Sequence, residues 1–171
     1  MWQGVHGSAG EISGDQFVNK RTVLAWFDKK VRNLECSELL SALEKRNCGK
    51  IEEFISTQLL DTISFYDYAE NYYHGFLAGI LKGAGKYIVL SNRESGTGRP
   101  DILLKTPSVR GEAIILELKV SDSFQGMEQK CYDALKQIGE MDYEAGLRTE
   151  GYNNIKKYGV SFYRKECMVR K

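Results

Sequence analysis

Apolar residues recur every three or four positions through the first half of the chain, then give way to near-continuous apolar runs. VLAWFDKKV and LECSELLSALEKRN carry amphipathic helical spacing, and Asn47-Cys48-Gly49 predicts a stop before a third helix. That helix is expected over about 50–63, with Ile51, Phe54, Ile55, Gln58 and Leu59 on one face. A fourth helix is expected from near Tyr66, capped by Ser64 or Asp67, to the stop Lys82-Gly83-Ala84-Gly85. At 100° per residue its stripe holds Glu70, His74, Leu77 and Leu81, beside Tyr73, Phe76 and Ile80.

Three strand-like runs follow, KYIVLSN (86–92), PDILLK (100–105) and EAIILELKV (112–120), separated by loops rich in Gly, Pro and Ser. In the third run, Ala113, Ile115, Glu117 and Lys119 share one face, and Ile114, Leu116, Leu118 and Val120 share the other. Both faces are largely apolar, the pattern of a strand covered on both sides. A carboxylate and an ammonium in such a strand are costly unless paired or bound to a metal. A long helix is expected next, over about 123–144, with Phe124, Met127, Cys131, Ala134, Leu135 and Ile138 on its apolar stripe and Gln137 at the flank. Two short strands, YGVSFY and ECMVR, pair through Arg164-Lys165 and close the chain.

A chain of 171 residues with 42% hydrophobic and 27% charged residues suits one folded domain with a sizeable core. Residues 1–18, with four glycines in the first fourteen, read as a flexible leader or cloning remnant. They lack a signal-peptide core, and no apolar run is long enough to span a bilayer, so no membrane partner is expected. Cys36, Cys48, Cys131 and Cys167 are scattered, which argues against a zinc site and fits a reducing, cytoplasmic setting. A net charge of +1 does not give the basic balance of a passive DNA-binding module.

The chemistry-bearing residues are Pro100-Asp101, then fifteen residues, then Glu117-Leu118-Lys119. Asp101 and Glu117 on neighbouring strands, with the carbonyl of Leu118, would give Mg²⁺ or Mn²⁺ the oxygen ligands it prefers. The competing reading is a buried salt bridge to Lys119. The spacing resembles the motif of the PD-(D/E)XK nuclease superfamily. The surrounding text, YYHGFLAGIL, SNRESGTGRPDILL and ALKQIGEMDY, resembles more narrowly the nuclease domain of bacterial AAA-ATPase-like/PD-(D/E)XK proteins, from about Asn19 to the end.

The resemblance implies an α/β fold with a restriction-endonuclease-like αβββαβ core over about 65–171 and an N-terminal helical extension over about 19–64. It also implies a magnesium- or manganese-dependent nuclease acting on nucleic acid, DNA in preference to RNA. Lys119 would orient or activate the attacking water, Glu70 would supply a further metal or water ligand, and Gln137 would approach the site. The residues alone leave alternatives open. Glu70 would otherwise pair with a lysine, and Gln137 would be an ordinary solvated residue. His74 would bond Glu70, contact phosphate, or satisfy a backbone group. Arg93 and Arg99, in the glycine-containing loop before Asp101, would contact phosphate or simply border a turn. Tyr143 resembles a tyrosine that follows the family's glutamine, but a continuous helix puts it on another face and leaves its role open. The expected partners are nucleic acid, an ATPase-like domain absent from this chain, and a second copy in a homodimer. The rival reading is a catalytically silent module of the same fold that binds nucleic acid or protein.

Overall fold

The computed structural model describes residues 36–62, 70–91 and 98–171. The segment VLAWFDKKV, the cap candidates Ser64 and Asp67, and Arg93 lie outside them. Helix α1 (Cys36–Glu44) buries Cys36, Leu39, Leu40, Ala42 and Leu43, a single stripe at helical spacing. It stops earlier than Asn47-Cys48-Gly49. Arg46 takes φ 55°, and the N–H groups of Arg46 and Asn47 return to the carbonyls of Leu43 and Ala42 at 3.2 and 2.9 Å, a left-handed C-terminal cap. Asn47 starts the next helix instead: its Oδ1 accepts the Lys50 N–H at 3.2 Å. Helix α2 (Cys48–Thr62) then buries Ile51, Ile55 and Leu59.

Helix α3 (Glu70–Gly83) leads to β1 (Ile88–Ser91), β2 (Ile102–Lys105) and β3 (Glu112–Val120). Helices α4 (Met127–Glu140) and α5 (Tyr143–Glu150) cross over to β4 (Asn154–Tyr163), which turns at Arg164 into β5 (Glu166–Arg170). The sheet order is β1-β2-β3-β4-β5, antiparallel throughout except for the parallel pair β3–β4. That parallel pair is why two helices stand between β3 and β4: parallel neighbours cannot be joined by a tight turn. This is an α/β fold with a restriction-endonuclease-like αβββαβ core.

Each face of β3 is covered by different helices. Ile114, Leu116 and Leu118 face the N-terminal helices together with Tyr158, Val160 and Phe162 of β4. The Tyr158 hydroxyl donates to the Leu43 carbonyl at 2.6 Å, and the Phe162 ring stacks on Tyr73 at 4.4 Å. Ala113 and Ile115 face the crossover, in a cluster with Ile138, Tyr143, Leu147 and Tyr152. At Gly159 a Cβ would lie 2.0 Å from the Cys131 carbonyl oxygen, so only glycine lets α4 rest directly on β4. Among the described residues no helix is long and apolar enough to cross a membrane.

Two elements differ from expectation. The long helix is shorter at its start and broken near its end. Ser121 to Gly126 form a turn in which the Ser121 hydroxyl donates to the Ser123 carbonyl at 2.7 Å, and Phe124 is exposed there. Asp142, at φ 46°, separates α4 from α5. Strand β4 begins at Asn154, four residues before YGVSFY. Lys156 hid that extension from the hydropathy pattern. It is buried because its ammonium bonds Glu112 and the Glu44 carbonyl.

Candidate active site

Ile102↔Leu116 is the last pair of the β2–β3 ladder, which brings Asp101 and Glu117 opposite each other one step further on. Asp101 is tied to both Glu117 and Leu118. The Asp101 N–H reaches Glu117 Oε2 at 3.3 Å, and the Leu118 N–H donates to Asp101 Oδ2 at 2.8 Å. Glu117 is only 2% exposed, so its carboxylate is cut off from the water that would stabilise its charge. Burial and, second, the neighbouring Asp101 charge push its pKa up to about 7, against the pull of Lys119.

Lys119, two positions along the same strand face, sends its ammonium to Gln137 Oε1 at 2.6 Å and to Glu117 Oε1 at 3.4 Å. Gln137 closes the triangle by donating Nε2 to Glu117 Oε1. Gln137 therefore stands at the site: its amide oxygen faces the cation and its amide nitrogen faces the carboxylate. The Glu117–Lys119 ion pair of the competing reading is present at 3.4 Å, and Gln137 bonds both of its partners.

Tyr143 joins this group, which the reading of one continuous helix did not place. The left-handed Asp142 ends α4 and turns the chain back, burying Tyr143 with its hydroxyl interacting with the Gln137 side chain. Burial first, and then the charges of Glu117 and Asp101, push the phenol above its ordinary pKa while Gln137 opposes them. The sequence held one signal for this, an aspartate at 142, since Asp tolerates the left-handed region better than most residues.

His74 is buried, with Nε2 2.9 Å from the Asp101 carbonyl oxygen, so of its three options the backbone bond is the one formed. Glu70 differs from expectation. It is exposed in the first turn of α3, one turn before the covered stretch that runs from Tyr73 to Leu81, and none of the hydrogen bonds around Glu117 involves it. Arg99 is exposed ahead of Pro100. Leu118 takes part through its N–H.

Among the described residues no group of three or more His, Cys, Asp or Glu side chains is arranged to hold a metal ion. The carboxylates brought together here are those of Asp101 and Glu117. Two hard oxygen donors whose charges oppose each other suit a divalent cation of the magnesium type, which keeps several waters and takes few protein ligands. A second polar network, Tyr87 with Glu44, Glu112, Lys86 and Lys156, ties α1 to the start of β3 and balances two carboxylates with two ammonium groups.

A mixed sheet with one carboxylate just before β2, a second on the adjacent β3 and a lysine two residues beyond it fits a restriction-endonuclease-like domain. The family model of the PD-(D/E)XK nuclease superfamily matches residues 68–171, well over half of the chain, and the chain belongs to that superfamily. No curated protein and no solved structure matched the chain significantly. Nucleases of this superfamily typically use divalent metal ions.

Proposed function

We propose that this domain is a divalent-metal-dependent nuclease that hydrolyses phosphodiester bonds in nucleic acid, with DNA as substrate and Mg²⁺ or Mn²⁺ as cofactor. The observation that carries this reading is the buried Glu117, bridged by Gln137 and Lys119 and set opposite Asp101. Asp101, Glu117 and the Leu118 carbonyl would hold the cation. When bound, it would lower the pKa of a coordinated water and offset charge on the scissile phosphate.

The chain's own groups divide the remaining work. Gln137 and Glu117 each accept from the Lys119 ammonium, fixing its direction and leaving it a further N–H for a water or a phosphate oxygen. A donor held in place before the reaction needs no reorganisation as negative charge develops on the phosphate. Tyr143, whose hydroxyl interacts with the Gln137 side chain, would help keep that amide in place. Glu70, on the stripe of His74 and open to solvent, would act through water. Arg99, exposed just before Pro100, would contact the substrate backbone.

Incubation with supercoiled plasmid and with single-stranded DNA, in Mg²⁺, in Mn²⁺ and in excess chelator, tests the reading. Nicking or degradation that requires the cation is expected. Binding without cleavage in either ion would favour the catalytically silent alternative.

A further inference from the structure

Asp101 is held from three sides by three different groups. Leu118 N–H bonds its carboxylate, its own N–H bonds Glu117, and its carbonyl oxygen lies 2.9 Å from His74 Nε2. The first two contacts tie Asp101 to β3 alone. The chain enters Asp101 through Gly98, in the left-handed region at φ 73°, and Pro100, which has no N–H to donate. The bond from α3 holds the carbonyl side of the peptide following Asp101, just before the β2 ladder begins at Ile102.

His74 also sits where an imidazole needs such a partner. It is 5% exposed within the buried stripe of α3, and an unsatisfied ring N–H there would be costly. A carbonyl oxygen only accepts, so the contact requires the proton on Nε2.

We propose that His74 is a positioning residue: its Nε2–H holds the Asp101 carbonyl and thereby sets the carboxylate that, with Glu117, receives the divalent cation. The consequence for the cation rests on the nuclease reading above; the bond itself does not. Groups that orient a metal ligand without touching the metal typically change its affinity by about 10–100-fold when removed.

Nuclear magnetic resonance of the metal-free protein decides the bond. The Leu118 amide proton, donating to Asp101 Oδ2, reports the position of that carboxylate. In the wild type His74 should be the Nε2-protonated tautomer, and the Leu118 amide should lie downfield. H74Q, whose amide nitrogen reproduces Nε2, should keep the Leu118 shift, whereas H74A and the shorter H74N should move it upfield. Titration with Mn²⁺ by calorimetry should show affinity about 10–100-fold weaker in H74A and recovered in H74Q.

The proposal is overturned by a wild-type His74 protonated only on Nδ1, or by an H74A protein with unchanged Leu118 shift and Mn²⁺ affinity. Should H74A not fold, the wild-type tautomer and the contrast between H74Q and H74N still decide it. A wild type that binds no Mn²⁺ would overturn the metal reading and the affinity consequence with it, while the amide shift would still decide the bond.

Discussion

Replacing Glu117 by glutamine should stabilise the metal-free protein at alkaline pH and leave it nearly unchanged in acid. The ordinary carboxyl value of 4.5 is raised to about 7 at Glu117, chiefly by burial and then by Asp101. A folded-state pKa above the unfolded one means the native protein binds more protons through that window. Stability is therefore undiminished below about 4.5, falls as pH rises towards about 7, and carries the whole penalty above it. A shift of this size corresponds to about 3 kcal/mol, because each pKa unit is about 1.4 kcal/mol. Glu117→Gln keeps the side-chain volume and an acceptor for Gln137 or Lys119, so it resembles the protonated form at every pH.

At roughly 2–4 °C per kcal/mol for a domain of this size, the Tm of the mutant should exceed that of the wild type by about 6–12 °C at pH 8 in chelator, and by only about 2–3 °C at pH 5. Circular-dichroism melts at the two pH values measure this. Adding Mg²⁺ at pH 8 should close the gap from the wild-type side, since ligand binding to the native state raises its Tm. A mutant less stable than wild type at pH 8, or a gap independent of pH, would refute the account of a strained, buried carboxylate.

Lys119→Ala should lower the single-turnover rate at saturation by about a hundredfold or more while changing nucleic-acid affinity in Ca²⁺ only modestly, because a fixed donor acts mainly on the transition state. A collapse of affinity with the rate retained would make Lys119 a phosphate anchor. Gly159→Ala should destabilise by about 3 kcal/mol or more, since its Cβ would meet the Cys131 carbonyl at 2.0 Å, and an unchanged melt would contradict the close seating of α4 on β4. The Ser161 hydroxyl is fully buried with no hydrogen-bond partner among the described residues, so Ser161→Ala should be neutral or stabilising by about 1 kcal/mol in chemical denaturation. A clear loss of stability would reveal a partner for that hydroxyl.

Strands β2 and β3 were legible because their apolar runs are bounded by loop residues. Strand β3 spans Glu112–Val120 as its two apolar faces predict, and the spacing from Asp101 to Glu117 matches a register that sets them opposite one another. The helical flank of Gln137 allowed either a site residue or a solvated one, and only the packing of α4 on β4 brings its amide to Glu117. Tyr143 was hidden by a single backbone torsion, at Asp142, that no periodicity records. The covered part of the α3 stripe begins after Glu70, because helical spacing tells which residues share a face but not how far the neighbouring sheet extends along it. The beginning of β4 was disguised by Lys156, whose charge is buried only because Glu112 meets it from the neighbouring strand.

The most direct test of the Asp101–Glu117 site follows a labelled DNA duplex and a single strand over time with wild type and Asp101→Asn, each in Mn²⁺ and each checked for folding by its melt. Cleavage is expected from the wild type, none above background from Asp101→Asn, and none from either in chelator. Asp101→Asn cleaving at the wild-type rate, or a folded wild type that cleaves neither substrate with any divalent cation, would contradict this.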